Sequence, residues 1–179
     1  MFYHKAVKRL SRFVAVLAVL LLLMSLLPAV QATEGITLSI PALNIDTSVV
    51  TVYLAVFPEG VTWDVSRLRR SVGRLDGTST FGQAGNTVLA GHSELSNRRA
   101  GVFRNLGNLQ GGSEIIINVN GTEYRYSVIG IQNVDIYDMS VIYPSSDERL
   151  TLITCDPNSY NAATGYYDRR LAVTAIRVS

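Results

Sequence analysis

From residue 36 onward the chain is a succession of short apolar segments, rich in β-branched residues and separated by turn-forming residues. The first segment, Ile36 to Ile40, alternates apolar and polar side chains, which is the pattern of a half-buried strand. Asn120-Gly121 separates two longer runs and is a frequent hairpin turn. Many short strands at modest spacing, with few helical segments, predict an all-β domain that is either a closed barrel or a sandwich.

Glycine, proline and asparagine residues mark the ends of the predicted strands. Strands are predicted at 36–40, 47–56, 87–90, 114–119, 122–134, 150–155 and 171–178. Between them, Trp63 to Val72 is expected to form the one clear short helix. Gly73 to Gly85 is rich in glycine, serine and threonine and is expected to be a loop, and Gly101 to Leu109 is expected to form a helical turn.

The first 32 residues differ in composition from the rest of the chain. Four basic residues precede an uncharged apolar run from Phe13 to Val30. A positive flank followed by roughly 18 apolar residues is typical of a signal anchor or a signal peptide. We favour a retained transmembrane anchor, with cleavage after Ala32 as the alternative. Because the basic flank stays in the cytoplasm, residues 33–179 are expected to form one extracellular domain at the cell membrane.

The charge and the cysteine count of residues 33–179 limit the possible functions. This segment has 12 arginines, no lysine and 14 acidic residues, so its net charge is 12 − 14 = −2. A mildly acidic domain is not expected to bind nucleic acid. One cysteine cannot form a disulfide scaffold, and the segment lacks the second cysteine or histidine that a zinc site requires.

Cys155 is the only cysteine in the chain, and it ends a β-branched run. A free cysteine is by default a small buried side chain. Alternation along the run places Leu150 and Leu152 on one face and Ile153 with Cys155 on the other, and the first face makes the better core. Cys155 is therefore expected on the less apolar face, at the mouth of a loop, where a reactive thiol and a structural thiol both remain open interpretations.

His92 and two arginines complete a candidate catalytic set. His4 lies in the basic flank, so His92 is the only histidine expected on the same side of the membrane as Cys155. Thiolate chemistry needs a nearby proton acceptor, and imidazole serves near neutral pH. Attack on an amide carbonyl creates an oxyanion, which the guanidinium group of Arg169 or Arg170 can stabilise. A structural histidine and solvated arginines are the alternative interpretation.

Six segments of the chain occur in an order that is typical of one family. They are Leu38 to Ile45 (LSIPALNI), Trp63-Asp64-Val65, Gly85 to His92 (GNTVLAGH), Gly101-Val102-Phe103, Thr151 to Cys155 (TLITC) and Arg170 to Val173 (RLAV). Together they resemble the sortases, the cysteine transpeptidases of bacterial cell surfaces, over about residues 36–178. The resemblance implies a closed sortase-type β-barrel of about eight strands with one or two short helices, preceded by the N-terminal transmembrane helix.

The resemblance also implies a role for each candidate residue. Cys155 would be the nucleophile that forms a thioester, His92 the group that moves protons, and Arg170 the group that stabilises the oxyanion. Alternation along the last strand agrees with the choice of Arg170, because its neighbour Arg169 shares the parity of the apolar set. We expect Arg169 to precede the strand and to turn toward solvent.

The resemblance implies two substrates. One is a surface protein with a C-terminal Leu-Pro-x-Thr-Gly-like sorting signal, and the other is an amine acceptor, either a cell-wall precursor or a pilin lysine. The groove beside the thiol is expected to lie between the loops 138–148 and 156–168. The alternatives are a thiol protease or amidase that uses water, a non-enzymatic adhesin or sortase substrate, and a catalytically inactive relative.

No metal or other cofactor is expected. Some sortases bind calcium through an acidic loop before the histidine strand. Residues 61–85 offer only Asp64 and Asp76 among four arginines, whereas a calcium ion needs about six or more oxygen ligands.

Overall fold

A computed structural model describes residues 35–58 and 60–178 of the protein. The described residues form twelve strands: β1 (Ile36–Ile40), β2 (Ile45–Val52), β3 (Leu54–Phe57), β4 (Gly60–Trp63), β5 (Val72–Leu75), β6 (Gly85–Ala90), β7 (Glu114–Val119), β8 (Thr122–Asp135), β9 (Glu148–Cys155), β10 (Tyr160–Asn161), β11 (Tyr166–Tyr167) and β12 (Arg169–Arg177). Four short 3₁₀ turns connect them, at Pro41–Leu43, Leu106–Asn108, Ser140–Ile142 and Pro157–Ser159.

Eight of these strands close into a barrel in the order β1-β2-β5-β6-β9-β12-β8-β7. The pairs β2–β5 and β6–β9 are parallel, and the other neighbouring pairs are antiparallel. Two small ribbons, β3–β4 and β10–β11, lie apart from the barrel sheet. The prediction of a closed eight-stranded barrel is confirmed, and the sandwich is excluded.

Alternating residues of the barrel strands build one main core. Its members are fully or almost fully buried and include Leu38, Ile117, Tyr126, Leu150, Leu152, Leu171 and Val173. The predicted alternation in the cysteine strand and in the last strand is therefore confirmed. The predicted hairpin is also confirmed, because Asn120 and Gly121 have φ angles of 50° and 92°, the left-handed values that a two-residue hairpin turn requires.

A second apolar cluster, which we call the outer cluster, packs against the opposite faces of β6 and β9. Its buried members are Val52, Leu68, Leu75 and Val88, and Trp63, Val65, Ala90, Ile142 and Ile153 pack against them. Val88 and Ile153 alternate with main-core residues of their own strands, so the outer cluster covers the outside of the barrel. These strands are therefore buried on both faces, which explains why their sequences read as nearly continuous apolar runs.

The segment between β4 and β5 is not helical, so the prediction of a helix from Trp63 to Val72 is wrong. The backbone instead makes successive turns, in which the N–H of Leu68 donates to the carbonyl of Val65 and the N–H of Ser71 donates to the carbonyl of Leu68. Arg69 adopts a left-handed φ of 47°, which a continuous α-helix does not allow. The helix-like spacing of Val65 and Leu68 reflects their shared contact with the outer cluster.

The prediction of a loop from Gly73 to Gly85 is wrong at its start, where the chain forms β5. Gly73 lies inside this strand, and a Cβ atom added there would lie 2.3 Å from the side chain of Val52. The glycine therefore permits a close approach of side chains from β2, rather than marking a turn.

The N-terminal predictions lie outside the described residues. These are the transmembrane segment at 1–32 and the domain boundary at 32/33, and both stay predictions. In the part of the chain that the structure describes, no helix has the length and apolar character needed to span a bilayer.

A buried amide joins β6 and β9 to the loop 138–148. Asn86 is 3% exposed, and its Oδ1 accepts a hydrogen bond of 2.8 Å from the hydroxyl of Thr151. Its Nδ2 donates to the carbonyl oxygens of Val141 and Tyr143, at 3.0 and 3.1 Å. Groups buried in this way have little access to water as an alternative partner, so the loss of the amide would leave them unsatisfied.

We predict that Asn86→Ala destabilises the protein by about 2–4 kcal/mol, since one buried and two partly buried hydrogen bonds are lost together. The measurement is the free energy of unfolding from urea denaturation. The matched control is Asn133→Ala, at an exposed position of β8, which should change the free energy by less than about 0.5 kcal/mol. Equal effects of the two substitutions would contradict the role assigned to the buried amide.

Candidate active site

Three neighbouring strands carry the candidate residues at one end of the barrel. β9 lies between β6, its parallel neighbour, and β12, its antiparallel neighbour. Cys155 is the last residue of β9, His92 follows β6 by two residues, and Arg170 is the second residue of β12. Because β6 and β9 run in the same direction and β12 runs in the opposite one, the ends of β6 and β9 meet the start of β12.

Cys155 and Arg170 form a cross-strand pair. The register of β9 and β12 places Arg170 directly opposite Cys155. Directly opposite side chains of an antiparallel pair lie on the same face of the sheet. The bulge in β12 falls between Thr174 and Ala175, beyond this pair, and concerns the pairing with β8. The register that the sequence argument assumed is therefore confirmed, and both side chains lie on the outer face of the barrel.

The position of His92 follows from the pairing of β6 with β9. Ala90 is matched with Ile153, and the pairing continues through a hydrogen bond of 3.1 Å from the N–H of Gly91 to the carbonyl of Ile153. Two residues further along each strand are His92 and Cys155. Ala90 and Ile153 both contact the outer cluster, so alternation places the histidine and the cysteine on the same outer face.

A backbone carbonyl fixes the imidazole ring of His92. Its Nε2 lies 3.0 Å from the carbonyl oxygen of Val65, in the turn segment after β4. A carbonyl oxygen only accepts hydrogen bonds, so Nε2 must carry a hydrogen and donate it. In the neutral ring, Nδ1 is then the atom with a free lone pair. This interaction assigns the role of proton acceptor to Nδ1.

The thiol of Cys155 is partly buried and is not strongly activated in the resting protein. Burial raises the pKa of the Cys155 thiol above its usual value, and the positive charge of Arg170 opposes this rise. Among the described residues, the ring of His92 makes no hydrogen bond to the thiol. A raised pKa favours the protonated thiol, so attack by the sulfur requires a base that removes this proton.

Arg170 is held in place by the backbone of the preceding loop. Its Nη1 donates to the carbonyl of Tyr167 at 3.1 Å and to that of Arg169 at 3.3 Å. These contacts leave other N–H groups of the guanidinium available, since the group has five. The fixed position next to the thiol suits a donor for an oxyanion.

Arg169 is exposed to solvent, as the sequence predicted, but the predicted start of the strand is wrong. It begins β12 rather than preceding the strand, and its side chain, which is 55% exposed, forms an ion pair of 3.8 Å with Asp156. Asp156 is itself buried and accepts a hydrogen bond of 2.9 Å from the N–H of Asn158. Arg169 thus contacts the residue after the cysteine and stabilises the start of the following loop.

Each of the two loops that were predicted to border the thiol has one residue in contact with this region, and the groove between them stays a prediction. Ile142, in the loop 138–148, packs against the outer cluster together with Ile153. Tyr167, at the end of the loop 156–168, contacts Arg170 through its carbonyl. The thiol therefore lies at the end of a face that these two loops border.

Three further side chains near the thiol were missed by the sequence analysis. Burial raises the pKa of Tyr167, the carboxylate of Glu94 adds to the rise, and the guanidinium of Arg104 opposes it. A thiolate at Cys155 also raises the pKa of Tyr167, so the phenol lies within electrostatic range of the sulfur. Glu94 and Arg104 form an ion pair of 3.6 Å. No motif in the sequence marks these residues, because the contacts join distant loops.

The described residues contain no group of three or more histidine, cysteine or acidic side chains that could hold a metal ion. The independence from calcium stays a prediction, since no calcium has been added or removed.

Comparisons with known proteins agree with this geometry. The family model described as "Sortase domain" matches residues 38–178. Sortase D of Bacillus subtilis (strain 168) is 31% identical over 149 residues, which cover 80% of this chain and 67% of that protein. Sortase A of Staphylococcus aureus is 33% identical over 95 residues, which cover 52% of this chain and 45% of that protein.

A solved structure shows the same architecture. Sortase A from Corynebacterium diphtheriae, in a lid mutant, matches with a TM-score of 0.65 and 29% identity, over 81% of this chain and 70% of that chain. The chain therefore belongs to the sortase family, a family of transpeptidases, as its sequence motifs predicted.

We predict that the charge of Arg170 controls the ionisation of the thiol. The alkylation rate of Cys155 by iodoacetamide follows the thiolate population, so its rise with pH reports the pKa. Arg170→Ala removes the charge that opposes the effect of burial and should shift this rise to higher pH. Arg170→Lys keeps the charge and should remain close to wild type.

The control is Arg125→Ala, because this guanidinium contacts Glu114 and Glu123 instead. An unchanged profile, or a shift to lower pH, in Arg170→Ala would contradict the electrostatic assignment.

Proposed function

We propose that the protein is a membrane-anchored sortase that cleaves a Leu-Pro-x-Thr-Gly-like sorting signal and transfers the new acyl group to an amine. The observation that carries the proposal is that Arg170 pairs directly with Cys155, and that His92 follows the parallel neighbour of the cysteine strand by two residues. A thiol, a proton-transfer group and an oxyanion donor are the three elements that acyl transfer through a thioester needs.

The first half-reaction forms the thioester. His92 accepts the thiol proton at Nδ1, and the sulfur attacks the carbonyl carbon of the threonine in the signal. The negative charge that develops on the carbonyl oxygen is stabilised by the guanidinium of Arg170, the cross-strand neighbour of Cys155. The bond from the threonine carbon to the glycine nitrogen then breaks, and His92 gives its proton to the departing amine.

The second half-reaction converts the thioester back into an amide. An acceptor amine attacks the thioester carbon, His92 takes the proton from the attacking nitrogen, and the sulfur leaves and recovers a proton. Arg170 again stabilises the oxyanion. Dividing one difficult transamidation into two steps lowers each barrier, and the free thiol is regenerated at the end.

The sorting signal is expected to bind along the face between the loops 138–148 and 156–168, which border the thiol. The acceptor would be a cell-wall precursor or a pilin lysine. An N-terminal anchor at 1–32 would hold the domain close to substrates that emerge from the same membrane. Family membership and the placement of Cys155 support the proposed signal and acceptor, and the apolar run of residues 13–30 supports the proposed anchor.

The proposal is tested by product analysis. The full-length chain is incubated with a peptide containing Leu-Pro-Glu-Thr-Gly, with and without an added amine, and the products are identified by mass spectrometry. We expect cleavage between threonine and glycine and a threonyl amide when the amine is present. Release of the free acid alone, at every amine concentration, would indicate a protease or amidase. An intact peptide under all conditions would indicate a different signal or an inactive protein, which a library of related peptides separates.

We predict that Cys155→Ala abolishes both cleavage and transfer, because the described domain has no other thiol. His92→Ala should lower kcat/KM by roughly 10²-fold or more, which is the usual scale of acid–base catalysis. Both rates are measured on the same peptide, with circular dichroism as a control for folding. Residual activity above a few per cent in Cys155→Ala, or near-normal turnover in His92→Ala, would overturn the assigned roles.

We predict that the two neighbouring arginines differ in their effects. Arg170→Ala should lower kcat by roughly 10²- to 10³-fold, the scale of removing one oxyanion donor. Arg170→Lys should still be damaging, because an ammonium lacks the planar fork of the guanidinium. Arg169→Ala should stay within a few-fold of wild type, since its side chain contacts Asp156 rather than the thiol.

Steady-state kinetics of the three variants decide between these assignments. Melting temperatures are measured in parallel, because Arg169→Ala leaves the buried Asp156 without its ion-pair partner. The reverse ranking of the two alanine variants would show that Arg169 is the oxyanion donor.

A further inference from the structure

Positive charge is concentrated in one part of this otherwise acidic domain. Residues 61–105 contain seven arginines and three acidic residues, a net charge of +4. The rest of the segment 33–179 contains five arginines and eleven acidic residues, a net charge of −6. The two charges add to the total of −2. The small net charge of the domain is therefore the sum of a basic part and a strongly acidic part.

The structure brings part of this charge together beside His92. An open cleft of about 530 Å³ is lined by Ser66, Arg69, Arg70, His92, Glu94 and Arg99, among others. The cleft lies between the turn segment that holds the imidazole ring and the loop that follows the histidine. We call it the arginine cleft.

The three arginines of the arginine cleft are not neutralised by the protein. Within residues 35–58 and 60–178, none of the guanidinium groups of Arg69, Arg70 and Arg99 forms an ion pair. The acidic residue in the cleft, Glu94, is paired with Arg104 instead. Three positive charges therefore face solvent in a concave site, where a field of one sign attracts ions of the other.

We propose that the arginine cleft binds an anionic group, a carboxylate or a phosphate, on the amine that accepts the acyl group. This inference rests on the proposed transfer function. His92 lines the cleft and is the residue that takes the proton from the attacking amine, so the acceptor nitrogen must reach it. An anionic group on the same molecule would then extend into the cleft, where guanidinium groups bind carboxylates and phosphates with paired hydrogen bonds.

The two substrates would bind at sites of different chemical character. The four fixed residues of the Leu-Pro-x-Thr-Gly core have no charged side chain, and the proposed path of the signal lies between the loops 138–148 and 156–168, away from the arginine cleft. The acceptor would approach from the histidine side, where the excess arginines lie. The arginine cleft would therefore affect the second half-reaction and leave the first unchanged.

The test uses two pairs of amines that differ in one anionic group. Glycylglycine is compared with glycylglycinamide, and phosphoethanolamine with ethanolamine, at equal concentrations of free amine. The rate of acyl transfer to each amine and the rate of signal cleavage without amine are measured for the full-length chain. The two pairs distinguish a carboxylate from a phosphate as the preferred group.

Two variants are tested. One combines Arg69→Gln, Arg70→Gln and Arg99→Gln, and the other carries Arg99→Gln alone. The control is Arg67→Gln, which removes one positive charge, as Arg99→Gln does, from the turn segment that holds Arg69 and Arg70. Arg67 lines a different cleft. All of these arginines are exposed, so the variants are expected to fold.

We expect the wild type to prefer at least one anionic amine over its neutral partner by about 10-fold in kcat/KM for the amine. The preference should fall with added salt, because exposed charges are screened. It should disappear in the triple variant and persist in Arg67→Gln, while cleavage without amine stays within two-fold in all of them.

Equal transfer to charged and neutral amines by the wild type would overturn this inference and leave the proposed function intact. A preference for the anionic amine that persists in the triple variant would also overturn the inference. If the wild type cleaves the signal but transfers it to none of the four amines, the proposed transfer and the inference fail together.

Discussion

The placement of β9 between β6 and β12 is the constraint on which the rest of the site depends. A parallel neighbour on one side brings the histidine end of β6 next to Cys155. An antiparallel neighbour on the other side brings the start of β12, with Arg170, to the same place. Because side chains alternate, the register also decides which face each group occupies, and a one-residue slip of β12 would exchange Arg170 for Arg169. The buried amide of Asn86, bound to Thr151, helps to hold the parallel pair together.

The electrostatics of the site follow from the two faces of β9. One face packs into the main core, and the other packs Ile153 against the outer cluster and carries Cys155 at its end. Burial on this second face raises the pKa of the thiol, and the adjacent Arg170 opposes the rise. Burial therefore favours the protonated thiol, and the ring of His92 is oriented by the carbonyl of Val65.

Short-range patterns in the sequence predicted the barrel strands other than β5, and they predicted the core faces of the cysteine strand and of the last strand. Leu150 and Leu152 indicated the core face of the cysteine strand, and parity assigned Arg170 to the opposite face from Leu171 and Val173. The pairing of Arg170 with Cys155 came only from the structure. The turn segment after β4 and the orientation of His92 depend on tertiary contacts, which local sequence patterns do not reveal. The spacing of Val65 and Leu68 resembles a helix, yet these residues lie in turns because the outer cluster requires them there. The bond from His92 to Val65 joins loops 27 residues apart, and no local pattern carries such information.

The central claim is that Cys155 becomes acylated and that an amine then removes the acyl group. The most direct measurement is mass spectrometry of the full-length chain, acid-quenched within one turnover of a Leu-Pro-Glu-Thr-Gly peptide and then digested. The account predicts that the fragment containing Cys155 gains the mass of the Leu-Pro-Glu-Thr acyl group and loses it when an amine is added before the quench. Product formation with no adduct, or an adduct on a different residue, would contradict it.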